Sequence, residues 1–157
     1  MNQLKFKKLR PKAKLPTKGT EFSAGYDLYL AEDLDLDFQW IGTTQEEEDK
    51  DVHIQYGIHF AKFGIAVEIP EGYCGILVER SSNWKRDIDQ ANKIGIIDSD
   101  YRGEIMAPIR ENGQIIKAGE RIAQLVIVPV FDGEPVWSDE LEETDRGEGG
   151  FGSTGKH

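Results

Sequence analysis

The sequence predicts an all-β protein built as one domain. Three observations carry that expectation. Short Val-, Ile-, Phe- and Tyr-rich runs bounded by Gly, Pro or Asp recur along the chain, as they do in sandwiches and barrels. Leu4-Lys5-Phe6-Lys7 alternates apolar and polar residues, the period of a half-buried strand. Helix signal is scarce: one short turn, Ser82 to Asp89, stands out, with the Ser82 hydroxyl expected to cap its N-terminus.

Strands are expected near 3–9, 23–30, 52–60, 62–69, 73–79, 91–97, 103–110, 113–117, 120–130 and 134–138. The first sets its lysines on a wet face. Ile65-Ala66-Val67-Glu68-Ile69 is a strand that Pro70-Glu71-Gly72 ends in a turn. Cys74, in the 73–79 run, behaves as a small hydrophobe and is expected to be buried. Glu111-Asn112-Gly113 separates two strands. Ile122 to Val128 is almost continuously apolar, as a strand buried on both faces is. Ala31 to Asp51 carries nine acids and one base; such a run repels itself and reads as a solvated, mobile loop. It lacks the spacing of an EF-hand calcium loop. The expected organisation is one β-barrel domain over 1–145, with an acidic insert at 31–63 that includes a hairpin, and a Gly-rich arm at 146–157.

Composition narrows the function. The 157 residues are 38% hydrophobic, enough for a core without staples. No apolar run approaches the roughly 20 residues of a membrane helix, and the basic N-terminus lacks the apolar stretch of a secretory signal. One cysteine excludes an internal disulfide framework and suits a reducing, cytoplasmic compartment. With three histidines it cannot build a clustered zinc site. Residues 1–20 hold seven Lys or Arg and no acid, yet the whole chain has a net charge of −10, which argues against nucleic-acid binding. An anionic substrate must then be met by a local group of donors or by a metal.

Two such groups are visible. Arg80-Ser81-Ser82 follows a strand and offers a guanidinium, two hydroxyls and backbone donors; alone it is no more than a surface turn. Arg146 to Gly155 contains five glycines, with Phe151, Ser153 and Thr154. It matches the letters of a dinucleotide fingerprint and of a P-loop. Both need a following helix, and too few residues remain. What survives is a flexible, donor-rich strip suited to phosphate, with Phe151 able to stack on a base. Asp98, leaving the apolar Ile94-Gly95-Ile96-Ile97, is a candidate general base if partial burial raises its pKa; a turn aspartate is the plainer reading.

Five segments in order complete the picture: Ala24-Gly25-Tyr26-Asp27-Leu28, Arg80-Ser81-Ser82, Gly95 to Glu104, Gly119-Glu120-Arg121-Ile122-Ala123-Gln124-Leu125, and Arg146 to Gly155. Together they resemble the five motifs of the homotrimeric dUTPases across nearly the whole chain. That resemblance implies a jelly-roll fold, a homotrimer with exchanged C-terminal arms, and Mg2+-dependent hydrolysis of dUTP to dUMP and pyrophosphate, which lowers the dUTP pool and supplies dUMP for thymidylate synthesis. It assigns Asp98 as the base acting on water. Asn92, Ile96, Ile97, Tyr101, Met106 and Phe151 would hold the nucleoside, with Tyr101 under the deoxyribose. Arg80, Ser81, Ser82, Gln124, Arg146, Gly152, Ser153 and Thr154 would hold the phosphates. Asp27 would stand near the metal through water.

Two features depart from the family. Glu79 replaces the Pro or small residue usual before Arg-Ser-Ser, and is free either to pair with Arg80 or to repel phosphate. The segment from Asp33 to Phe63 is longer than the usual hairpin; its acidic tip reads as an ornament or as a contact for a regulatory protein partner. Two other functions are open to this fold. A dCTP deaminase would use a glutamate as base, and the Asp98 and Tyr101 pattern speaks against it. A binding protein would keep the fold and use the acidic insert as its contact.

Overall fold

The computed structural model describes residues 3–37 and 57–150, and over these residues the regular structure is strand, with one short 3-10 turn. Ten strands form in order: β1 (Lys5–Lys8), β2 (Gly25–Tyr29), β3 (Leu34–Asp35), β4 (Ile58–Lys62), β5 (Ile65–Glu68), β6 (Tyr73–Glu79), β7 (Ile94–Ile97), β8 (Met106–Arg110), β9 (Ile115–Ile116) and β10 (Arg121–Pro129). All pairings are antiparallel, and the main sheet has the order β2-β10-β6-β7. Three two-stranded ladders, β1-β5, β3-β9 and β4-β8, complete the fold.

One core joins these ladders. Leu28, Leu30, Leu36, Phe63, Leu77, Ile105, Ile109, Ile116, Ile122 and Leu125 are buried within it. The 3–9, 73–79, 103–110 and 120–130 expectations match β1, β6, β8 and β10 closely. The upper part of 52–60 appears as β4; residues 52–56 lie outside the described residues.

Several expectations are corrected. No strand forms at 134–138: Val136 and Trp137 are exposed and no ladder partner among the described residues lies beside them, and an unpaired extended segment has nothing to bury against. The start of the acidic segment is not a loose loop. Leu34, Leu36 and Ala31 are buried while Asp33, Asp35 and Asp37 face outward, and β3 pairs with β9. Ile122 to Val128 is buried on both faces only in its first half. Cys74 is half-buried. The short helical turn is a 3-10 turn, Asn83–Arg86, and Ser82 makes no side-chain cap bond. Ser82 already has helical φ and ψ, whereas a capping side chain works from the extended region. Asn83, buried, holds the turn instead by donating from Nδ2 to the Ile122 carbonyl at 2.6 Å.

Candidate active site

The motif residues gather where strands of the main sheet end. Arg80 leaves β6, Asp27 sits within β2, and Arg121 and Gln124 open β10 between them. Asp27 is buried, and both its oxygens are used. Oδ1 accepts from Arg80 Nε at 2.8 Å. Oδ2 accepts from Arg80 Nη2 at 3.3 Å and from Arg121 Nη1 at 2.9 Å. Two guanidiniums on one carboxylate leave a net positive charge, and Arg80 is held in a fixed plane. Gln124 is set by donating from Nε2 to the Glu79 carbonyl at 3.1 Å. A cavity of about 170 Å³ lies among Gly25, Asp27, Arg80, Ser81 and Gln124. A Cβ at Gly25 would stand 2.4 Å from Gln124 Oε1, so a larger residue there would have to displace the Gln124 amide.

Glu79 neither pairs with Arg80 nor points at this cavity. Its Oε1 accepts the backbone N–H of Gln90, which ties the carboxylate to the turn before β7.

The second group lies along β7. Asn92 precedes the strand, Ile96 is exposed on it, and Asp98 and Tyr101 follow it in a tight turn closed by Tyr101 N–H to the Asp98 carbonyl at 3.1 Å. Tyr101 Oη donates to the Glu104 carbonyl at 3.2 Å. Ile97 points into the core. Met106 stands apart on β8, opposite Lys62. Asp98 is exposed in the single chain, so the expected partial burial is absent; it borders a cleft of about 280 Å³ shared with Tyr73, Cys74 and Phe131.

The Glu104 carboxylate anchors this turn. It accepts from Arg10 Nε at 2.5 Å, from Arg10 Nη2 at 2.8 Å and from Gly64 N–H at 3.0 Å. The Arg10 hydrogen bond, then its charge, hold the Glu104 carboxyl below the usual carboxylate range, against the opposing effect of burial.

One chain does not bring the two groups together. β6 and β7 run antiparallel, with Val78 opposite Ile94 and Gly75 opposite Ile97. Arg80 and Asp98 therefore leave opposite ends of one hairpin, about 20 Å apart at roughly 3.3 Å per residue. Arg146 is exposed and donates from Nε to the Gly149 carbonyl at 2.9 Å, within a local turn. Phe151, Gly152, Ser153 and Thr154, and the acidic tip of the insert, lie outside the described residues.

Among the described residues no three His, Cys, Asp or Glu side chains gather as a metal cage. Asp27 already accepts three N–H bonds. A Mg2+ that arrives on a polyphosphate would need no such cage, because this ion keeps its waters and takes phosphate oxygens in preference to protein cages. No helix among the described residues is long and apolar enough to cross a membrane.

Sequence reasoning missed Arg121 as a member of the cradle and Arg10 as the anchor of Glu104. Neither has a local signal, since their carboxylate partners lie 94 residues away in each case.

Comparison with known proteins agrees with this geometry. The dUTPase family model matches residues 11–155. A deoxyuridine 5'-triphosphate nucleotidohydrolase of Desulfitobacterium hafniense is 40% identical over 148 residues, covering 90% of this chain and 87% of the relative. The enzyme of that name from Escherichia phage T5 is 50% identical over 96 residues, 59% of this chain and 65% of its own. A mutant dUTPase of Staphylococcus bacteriophage 80alpha, solved with dUpNHpp, superposes with a TM-score of 0.78 at 28% identity and covers 99% of both chains. A mutant dUTPase from phage phi11 of S. aureus, described as coordinating a structural Mg(II) ion, gives 0.68 at 26% identity, covering 90% of this chain and 100% of its own.

Proposed function

The chain belongs to the dUTPase family, and we propose that it hydrolyses dUTP to dUMP and pyrophosphate, with Asp98 as the base that activates water. The observation that carries this reading is the pairing of an exposed aspartate at the end of β7 with a prebuilt cationic cradle on Asp27.

Asp98 borders the strand on which the nucleoside would lie, so its nearest phosphorus is the α. The water oxygen bonds to that phosphorus as Asp98 takes its proton. The bond from the α-phosphorus to the α–β bridging oxygen breaks, and pyrophosphate leaves with that oxygen. Arg80, Ser81, Ser82 and Gln124 offer fixed donors to the phosphate oxygens, the kind of preorganised stabilisation that dominates phosphoryl chemistry. Tyr101 packs under the deoxyribose, and Asn92 with the Ile96 backbone meets the base. Arg146, Gly152, Ser153 and Thr154 close on the phosphates with Phe151 over the base, which excludes water. Mg2+, when bound on the triphosphate, supplies charge neutralisation; Asp27 serves first as the arginine anchor.

The separation of Arg80 from Asp98 supports a homotrimer in which one copy's cradle faces another's Asp98. The exposed Phe131, Val136, Trp137 and Leu141 support an arm that finds its cover on a neighbouring copy. The free thiol of Cys74 fits the cytoplasm, where the product dUMP would feed thymidylate synthesis.

The test is direct. The purified chain is given Mg2+ with dUTP, dCTP, dTTP or UTP, and pyrophosphate and ammonia are measured. Pyrophosphate from dUTP alone, lost by at least about a thousandfold in Asp98→Asn, supports the reading. Ammonia from dCTP, or full activity in Asp98→Asn, overturns it.

A further inference from the structure

Gln90 is fully buried, and its Oε1 has no hydrogen-bond partner among the described residues. A buried orphan acceptor is costly and calls for an explanation. The other end of the same amide supplies one. Gln90 Nε2 donates to the Leu77 carbonyl at 3.3 Å and to Asn92 Oδ1 at 2.8 Å. A backbone carbonyl can only accept, so it dictates which end of the Gln90 amide is the nitrogen. That nitrogen in turn dictates that Asn92 turns its oxygen inward. Asn92 Nδ2 is left as a free donor among the described residues. It lies above β7, where a Cβ on Gly95 would stand 3.7 Å from it.

The backbone of Gln90 is fixed as firmly as its side chain. Its N–H donates to Glu79 Oε1, and its carbonyl accepts Lys93 N–H at 2.9 Å in a turn where Lys93 takes φ 60°. The non-family residue Glu79, immediately before Arg80, thus holds the turn that carries Asn92.

We propose that Gln90 is a positioning residue for base selection: the Leu77–Gln90 relay locks the Asn92 amide with its NH2 outward, so that it donates to the 4-carbonyl of uracil and rejects the 4-amino group of cytosine. An outward donor meets an acceptor at that position in uracil and another donor in cytosine, and a site built around such a bond rejects the mismatched partner strongly. The proposal rests on the nucleotide site described above, but it concerns binding, which can be measured apart from hydrolysis.

The test uses dUMP and dCMP binding by calorimetry on the full chain, and the Asn92 side-chain amide by 15N NMR in the unmutated protein. Gln90→Leu is expected to weaken dUMP about tenfold and to lower the dUMP to dCMP preference at least about tenfold, with kcat on dUTP within about threefold. Asn92→Asp, which presents oxygen outward, is expected to turn the preference towards dCMP. In the unmutated chain dUMP shifts the Asn92 NH2 resonances. A folded Gln90→Leu chain that keeps its preference within twofold overturns the proposal, as does an Asn92 amide unmoved by saturating dUMP; if Gln90→Leu fails to fold, the NMR result decides. A chain that binds dUMP over dCMP through Asn92 yet releases no pyrophosphate from dUTP leaves this inference standing and overturns the hydrolysis reading alone.

Discussion

Asp27→Asn separates two roles that one carboxylate can play. The side chain is only 10% exposed and neutralises two guanidiniums. Removing one partner of a buried charge pair costs about 3–5 kcal/mol. The Arg80 and Arg121 side chains are 28% and 42% exposed, so water recovers part of this, and asparagine keeps one acceptor. We expect about 2 kcal/mol, or a fall in Tm of about 4–8 °C at this chain length. Binding receives two opposed effects. Losing the carboxylate adds one positive charge near the phosphates, worth about 0.5 kcal/mol at roughly 8 Å in water and less once screened. Losing the plane of Arg80 forfeits a charge-assisted bond worth about 1.5–3 kcal/mol. Geometry wins, so KM for dUTP rises about tenfold with kcat less affected. Steady-state kinetics at low and high Mg2+ then decide the role. An arginine anchor predicts that added Mg2+ does not restore KM. Restoration by Mg2+, or an unchanged Tm, would refute the reasoning and return Asp27 to the metal's water shell.

Two further outcomes follow from the same contacts. The depressed Glu104 carboxyl contributes stability that is fully present above its unfolded pKa of about 4.3 and disappears as pH falls through the lower folded value; in acid titrations followed by circular dichroism, Glu104→Gln should be less stable than the parent at pH 7, with the gap closing below about pH 4. Truncation after Asp145 should leave Tm within about 2 °C, because the last buried apolar side chain among the described residues is Leu125, while dUTP turnover falls at least about a hundredfold.

The strands were legible where a local signal was complete. Tyr73 to Glu79 has a Gly72 turn before it and an apolar run within it, and it forms as expected. β3 was hidden in plain view. Leu34-Asp35-Leu36-Asp37 has period-two alternation, but the surrounding carboxylates dominate the reading as a charge run. Residues 134–138 failed for the opposite reason: their strand-like residues have no partner among the described residues, and a strand is a pairing before it is a propensity. The site divides in the same way. Motif letters point to Arg80, Asp98 and Gln124 as candidates, because chemistry fixes residue type. They cannot show that Asp27 holds Arg80 and Arg121 together, or that Glu79 bonds to Gln90 and not Arg80, because those are contacts between elements.

The placement of Asp98 and Arg80 at opposite ends of the β6–β7 hairpin has a consequence for assembly. A base and a phosphate clamp about 20 Å apart along the hairpin fit the proposed shared site, in which a second copy supplies one of them. Mixing two inactive variants, Asp98→Asn and Arg80→Ala, then distinguishes the arrangements. In the proposed homotrimer, reassembled from equal amounts of the two variants, a site drawing Asp98 from one copy and Arg80 from another has both intact about one time in four, by independent choice of each chain in a closed symmetric ring. Activity per site should therefore recover to about a quarter of the parent's. A site contained within one chain predicts none, because every chain in the mixture carries one lesion. Recovery in a refolded mixture, with none when the two folded trimers are simply combined on ice, establishes sharing. Persistent inactivity of a refolded, correctly sized trimer would place Asp98 and Arg80 in one protomer's site and require the hairpin to rearrange around substrate.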